Sequence, residues 1–304
     1  MRHILLTGAS GFLGTHVLAA LHRHGYVIHA VDRRSIPGTD TNGVTWHVTD
    51  LLDRFATRNL FEEVCPYGLI HLAWETTHGI YWNSPENLEW LASSIGMVKD
   101  FSYFGGKRLL IAGSSAEYLW GGLDDMEEII SPMIPASLYG ASKNALREVI
   151  EKWAPICNIS WSWPRFFNLF GPNDNPLRLL PRVIQTLING QNLSFDSGSL
   201  RRDFLHVADA GDAVAALFHS EIQGPVNIAS GEALSIRDVI STIAEYLHAS
   251  DRVKYNSEID LSNQPEHIVA DINRLRQIVG WQPKKSFEAR LFETCNWWLQ
   301  AQNE

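Results

Sequence analysis

The chain has 304 residues, 45% of them hydrophobic and 19% charged, enough to build a globular protein with a sizeable core and too apolar for disorder. A net charge of -9 argues against a nucleic-acid partner held by bulk electrostatics, so an anionic ligand must be met by local arginines. No apolar run is long enough to span a membrane, and no metal-ligand spacing stands out, so neither a membrane partner nor a metal is expected.

His3 to Thr7 is a short apolar run that ends in glycines and predicts a buried strand, with no signal-peptide layout before it. Phe12 to His24 reads as a helix, Tyr26 to Asp32 as the second strand, Val44 to Asp50 as the third, and Leu51 to Val64 as a helix. Gly68 to Trp74 is the fourth strand, Glu86 to Phe104 a long helix, and Arg108 to Ser115 the fifth strand. A helix carrying Tyr139 and Lys143 runs to about Trp153. Ile159 to Leu169 reads as a sixth strand, with Pro164 near its middle. Strands alternating with helices of this length imply βαβ units and a parallel sheet.

After Gly171-Pro172 the pattern loosens. Helices are expected at Leu177 to Asn189, Ala208 to His219, Ser235 to His248, Asp271 to Val279 and Phe287 to Gln300, with short strands at Asp203 to Val207 and Pro225 to Ala229. The expected division is a dinucleotide-binding part over residues 1–170, to which segments near 203–230 return, and a smaller C-terminal α/β substrate lobe over residues 171–304. Cys65, Cys157 and Cys295 are far apart and read as free thiols in a reducing compartment, so the expected location is the cytoplasm.

Thr7-Gly8-Ala9-Ser10-Gly11-Phe12-Leu13-Gly14 joins the first strand to the first helix. Glycines allow a tight turn, close approach of backbone to pyrophosphate, and close helix–strand packing. The helix N-terminus offers free N–H groups to the phosphates. Asp32 ends the second strand, 18 residues after Gly14, where a carboxylate can accept both ribose hydroxyls of an adenosine. Arg33 and Arg34 leave both NAD and NADP open, because an arginine can pair with a 2′-phosphate. Asp50 either meets the adenine edge or caps the helix that begins at Leu51.

Tyr139 and Lys143 lie four apart, hence on one face of a helix. A tyrosine is a poor acid or base at neutral pH unless a nearby cation favours its phenolate. Lys143 is placed to be that cation. Alone the pattern is common; downstream of a phosphate-cradling loop it points to hydride chemistry, where a proton must move on and off oxygen.

With these residues in hand, the chain resembles the extended short-chain dehydrogenase/reductases that act on nucleotide sugars as epimerases, dehydratases and reductases. The matching stretches are Thr7 to Gly14, His71-Leu72-Ala73, Ser114 to Glu117, Tyr139 to Lys143, Arg165 to Asn168, Arg202 to Val207, Asn227 to Gly231 and Gly280 to Pro283. The resemblance implies a Rossmann-type doubly wound parallel sheet and an NAD or NADP cofactor. It implies cofactor contacts from Gly8, Ser10, Gly11, Phe12, Leu13, Gly14, Asp32, Arg33, Asp50, Leu51, Leu72, Ala73, Trp74, Tyr139 and Lys143.

Tyr139 is implied as the proton donor or acceptor, with Lys143 lowering its pKa and holding the nicotinamide ribose. Ser115, 24 residues before Tyr139, is implied to bond the reacting oxygen. Asn168 and Arg202 are implied to hold the substrate's sugar or diphosphate, with an ion pair to Asp203 or Asp209 as the other reading of Arg202. Thr76, Ala116 and Glu117 are expected to line the sugar pocket, as are Trp74 and His78. A homodimer through the helix from Glu86 and the helix carrying Tyr139 is expected by fold analogy.

The departures matter as well. The dehydratases of the group carry an Asp-Glu pair after the catalytic serine or threonine. Here Ala116-Glu117 stands in that place, which argues against 4,6-dehydration. Asn87 keeps the asparagine of an Asn-x-x-Gly-Thr pattern, but Trp90 and Leu91 replace the small residues. The expected function is reduction of a 4-keto, possibly deoxy, hexose on a nucleoside diphosphate. A C4-epimerase is the alternative, and a non-catalytic dinucleotide sensor the remote one.

Overall fold

The structure is a computed structural model, and it describes residues 2–34, 43–122, 124–195, 200–255 and 265–302. Strands β1 (His3–Thr7), β2 (Val27–Asp32), β3 (Val44–Val48), β4 (Gly68–His71), β5 (Arg108–Ile111), β6 (Gly113–Ser114) and β7 (Ser160–Phe166) alternate with helices α1 (Gly14–Arg23), α2 (Arg54–Val64), α3 (Glu86–Tyr103) and α4 (Leu138–Trp153). The later elements are β8 (Asn168–Phe170), α5 (Leu179–Ile188), β9 (Leu193–Phe195), β10 (Arg201–Arg202), β11 (Phe204–His206), α6 (Val207–His219), β12 (Gly224–Ile228), β13 (Leu234–Ser235), α7 (Ile236–Tyr246), β14 (Val253–Tyr255), β15 (His267–Ile268) and α8 (Phe287–Ala301).

The main sheet runs β3-β2-β1-β4-β5-β7-β12, and every pairing in it is parallel. The doubly wound Rossmann order, extended by one strand, places its reversal point between β1 and β4, where such sheets open a crevice. Ile4, Leu6, Ile70 and Leu110 pack under α1 and α6 on one face. Leu5, Leu69, Leu109 and Ile111 pack under α2, α3 and α4 on the other. Both faces are covered, which is why these strands read as continuous apolar runs rather than alternating ones. A third core joins α5, α7 and α8 with β9 and β11.

Several element ends differ from the sequence reading. The strand expected to reach Trp74 stops at His71. Leu72 N–H still bonds the Thr7 carbonyl at 3.3 Å, but Ala73 N–H turns to the Thr7 hydroxyl. The helix expected from Leu51 begins at Arg54, capped by Asp53, whose carboxylate accepts from Phe55 and Ala56 N–H; Asp50 bonds Leu52 N–H instead. The helix expected over Asp271 to Val279 is a π-helical turn over Arg274–Val279. The long strand from Ile159 divides into β7 and β8, and β8 leaves the main sheet to pair with β11. Pro164 is tolerated inside β7 because the ladder toward β5 and β6 is interrupted between Ser162 and Arg165, so no N–H is required of it there.

Two buried arginines tie the outer strands down. Arg108 donates from its guanidinium to Ser160, Ser162 and the carbonyls of Leu217, Phe218 and Ile222, at and just beyond the C-terminal turn of α6. Those carbonyls lack helix partners, and a cation there suits the helix dipole. Arg165 donates to Glu117, the Tyr118 hydroxyl and the Glu128 carbonyl.

Candidate active site

The glycine turn is a cradle made by contact. Gly8 sits at φ 68°, and a Cβ on it would come 2.9 Å from Ala73 N. A Cβ on Gly14 would overlap the Gly8 carbonyl, so α1 lies directly on the end of β1. The first turn of α1 carries no side-chain cap; Thr15 N–H and His16 N–H bond the Gly11 and Leu13 carbonyls, and Phe12, Leu13 and Gly14 at the helix start line the crevice. Asp32 is held by the Ser10 hydroxyl and by Arg34 N–H at 2.8 Å. Gly8, Ser10, Gly11, Asp32, Arg33, Arg34 and Leu51 line a cavity of about 210 Å³. Among the expected adenosine contacts Asp50 is not in that lining; Thr49 and Leu51 flank it there.

The next cavity, about 290 Å³, shares Gly8, Gly11, Ala73 and Trp74 with the first. It adds Phe12, Leu13, Gly14, Leu72, Thr76, Tyr139 and Lys143. Ser137 caps α4 by accepting from Gly140 N–H, which fixes the turn that presents Tyr139. Gly140 lies against the Ala116 carbonyl with no room for a Cβ. Lys143 is 2% exposed, and its Nζ donates to the Ala112 carbonyl at 2.8 Å. Ala112 N–H donates to His71, the last residue of β4. The end of β4 therefore leaves the Ala112 carbonyl to the lysine.

Burial pushes the Lys143 ammonium down to about 7. Burial, then Tyr81, pushes the Tyr139 phenol up. Ser114 and Arg178 act the other way without outweighing burial, and Lys143 is not among the groups that shift this phenol, so the expected lowering by the lysine is not seen. Beneath the site, His71 bridges the Thr7 hydroxyl at 2.7 Å and the Ser94 hydroxyl at 2.9 Å. Burial, then Lys143, drops the pKa of His71 to about 3, so it stays neutral.

The third cavity, about 430 Å³, shares Tyr81, Ser114, Phe166, Phe167, Leu169 and Arg178 with the second. Ser115, Asn168 and Arg202 line it as expected, together with His78, Trp82, Trp120, Asp174 and Arg178. Around Tyr139 the wall is aromatic: the ring centroids of Tyr81 and Trp82 lie 5.0 Å and 5.9 Å from that of Tyr139, both edge-on. Trp82 in turn meets Trp120 edge-on, and Trp120 donates its indole N–H to the Ser115 carbonyl. Arg202 makes no ion pair among the described residues; its Nη1 donates to the carbonyls of Arg201 and Glu266. Asp203 instead holds Ser230 and Gly231, and Asp209 holds Arg290.

Two expectations need correcting. Ala116 and Glu117 line none of these cavities. Glu117 is sealed from solvent, paired with Arg165 at 2.9 Å and bonded by Trp163 Nε1. Beside them, the Ser114 side chain bonds Tyr139 and accepts from Ala116 N–H; Ser114 lines the second and third cavities and Ser115 the third. Arg178, Tyr81 and Trp82 were not expected. Tyr81 and Trp82 lie in a short 3₁₀ turn, Tyr81–Asn83, and Arg178 stands at the N-cap position of α5, segments too short to carry a period; the Leu119-Trp120 departure after Glu117 already marked an altered wall beside Ser115.

A model of the NAD dependent epimerase/dehydratase family matches residues 4–229. The chain belongs to that family. Among its relatives is a dTDP-glucose 4,6-dehydratase of Neisseria meningitidis serogroup B, 25% identical over 345 residues that cover 98% of this chain and 94% of the relative. A UDP-glucose 4-epimerase of Bacillus subtilis is 23% identical over 340 residues, covering 97% and 96%. The Thermus thermophilus UDP-glucose 4-epimerase, solved with NAD, superposes with a TM-score of 0.82 at 22% identity, over 97% of this chain and 98% of that one. The family is one of NAD-dependent enzymes on nucleotide sugars. The glycine cradle, the uncapped α1 and Asp32 fit such a dinucleotide.

Proposed function

We propose that the protein reduces a 4-keto hexose carried on a nucleoside diphosphate. The observation that carries this reading is the aromatic wall set against Tyr139 at the junction of the second and third cavities. A wall of interlocked rings on one side of the acid/base group holds a sugar ring in one presentation, as a one-way reduction needs.

A bound nicotinamide dinucleotide supplies the hydride for such a reaction. The chain's own residues do the rest. Tyr139 donates its phenolic proton to the carbonyl oxygen as negative charge develops there. Ser114 and Ser115 stand beside it with hydroxyls that can bond the same oxygen. Lys143, one turn below, stabilises the phenolate left behind. Arg178 and Arg202 face the third cavity, where planar guanidinium forks match diphosphate oxygens. Asp32 receives the adenosine ribose. Dehydration is disfavoured, because Ala116 supplies no acid and Glu117 is sequestered by Arg165.

C4 epimerisation is the second reading, favoured by the relatives of that activity. It would use the same groups, with Tyr139 first taking a proton from an alcohol. The two separate on denaturing the purified protein. Stoichiometric NAD in the supernatant, with no dinucleotide consumed in turnover, would establish the epimerase. Oxidation of added reduced dinucleotide by a 4-keto sugar nucleotide, one per product, establishes the reductase. The homodimer and the cytoplasmic location stand as further proposals, checked by ultracentrifugation at micromolar concentration and by fractionation.

A further inference from the structure

Lys143 has an unexpected neighbour. Its Nζ lies 3.7 Å from the ring centroid of Trp74, closer than the 5.9 Å to the ring of Tyr139, one turn away on its own helix. The indole is fixed on three sides. Its N–H donates to Asn87 Oδ1 at 2.8 Å. Asn87 is itself locked by donating to the carbonyls of Tyr81 at 2.7 Å and Ser84 at 2.9 Å. Behind it the Trp90 ring stacks at 6.2 Å. This explains the sequence departure in α3: the asparagine is kept to orient an indole, and Trp90 stands where a small residue was expected, as the backing for Trp74.

We propose that Trp74 is a positioning residue for the proton-transfer site: its π face holds the Lys143 side chain as an ammonium, aimed between the dinucleotide cavity and Tyr139. The proposal rests on the reading of Lys143 as the cation that supports Tyr139.

The other charged and titratable groups around Lys143 do not supply this hold. From β4, His71 is neutral. From the segment after β6, Glu117 favours the ammonium at a distance, but its carboxylate is engaged by Arg165 and Trp163. From α4, Tyr139 is a neutral phenol. Arg178 acts on Tyr139 from across the cavity and is repulsive to a second cation. No charged group of α3 is among those that shift Lys143. Among the described residues the direct partners left are the Ala112 carbonyl and the indole face. A desolvated cation–π contact is strong enough to move a lysine titration by about one pH unit or more.

The test reads the lysine itself. Protein labelled with ¹⁵N-lysine and stripped of dinucleotide is titrated by NMR, with the Nζ signal assigned by its loss in Lys143→Arg. Trp74→Leu should lower the Lys143 titration by about one pH unit, and Trp74→Phe, which keeps a π face, by less than half of that. An unchanged titration in Trp74→Leu overturns the proposal. Should Trp74→Leu fail to fold, Trp74→Phe decides, since a face of weaker π density must still lower the titration and an unchanged value overturns it. Turnover is measured separately. If Lys143 needs its charge, the alkaline limb of kcat in Trp74→Phe moves to lower pH by the same shift that NMR reports. A moved titration with an unmoved limb leaves Trp74 holding the lysine and removes the lysine from the proton-transfer reading.

Discussion

Arg165 Nε lies 2.9 Å from Glu117 Oε2, with both side chains shut away from water. The pair ties the turn after β6, which begins at Ser115 directly after Ser114, to the C-terminal end of β7. Removing one partner leaves the other as an uncompensated buried charge. Glu117→Ala should cost about 3–5 kcal/mol, read from urea unfolding. A loss below about 1 kcal/mol would mean the pair is not the anchor described above.

Gly14→Ala places a methyl on the Gly8 carbonyl. Either α1 lifts from β1 or the turn opens, and each misplaces the Gly8–Gly14 segment that lines the dinucleotide crevice. Dinucleotide affinity should fall by more than about 100-fold, a loss of about 2.7 kcal/mol, measured by calorimetric titration. Wild-type affinity in this variant would contradict the cradle.

Tyr139→Phe removes the proton donor but keeps the ring that Tyr81 and Trp82 pack against. Turnover should drop about 10²–10⁴-fold, while the dissociation constant of the nucleotide sugar stays within a few-fold. Unchanged turnover would remove Tyr139 from the chemistry.

Lys143 gives a pH dependence with a definite sign. Its pKa is about 7 in the folded protein, against an ordinary lysine value near 10.4 in the unfolded chain. Between those values the unfolded chain binds more protons, so this group makes stability rise as pH rises from about 7 to about 10. Below 7 the fold carries a buried ammonium at full cost. Lys143→Met should therefore stabilise the dinucleotide-free protein at pH 6 and do so progressively less toward pH 10. Thermal melts of both proteins across that range check it, and an equal effect at both ends would refute the burial argument.

Among the described residues Arg202 has backbone carbonyls as partners; it lines the third cavity, and burial lowers its pKa. Arg202→Ala should weaken nucleotide-sugar binding by about 10- to 100-fold, since a charge-assisted bond contributes about 1.5–3 kcal/mol. The loss should shrink at high salt. Equilibrium dialysis with the intact sugar nucleotide and with the bare sugar separates this from a change in sugar fit, because the bare sugar should bind the variant as well as the parent.

The sequence showed the glycine turn, Asp32, Tyr139 and Lys143 because each belongs to a local pattern. Turn, strand end and helix face are set by residues within a few positions of one another. Arg178 and Trp82 were hidden because connecting segments bring them in, and no short period records where such a segment returns. Ser114 and Ser115 show the limit at finest grain: both line the third cavity, but Ser114 alone of the two also lines the second, and it caps the turn that follows. Glu117 was misread for a related reason. Its partner Arg165 is 48 residues away on β7, outside any local pattern.

The placement of β12 beside β7 sets where this chain can be cut. A polypeptide stopped near residue 170 would contain every residue of the glycine turn and the Tyr-Lys pair. It would also present β7, with Trp161 and Trp163, as a raw edge, and strand the Arg108 guanidinium without the three carbonyls that α6 and its exit provide. The catalytic half is thus no portable module. Synthesis must pass Ile228 before the sheet that carries the active site can close.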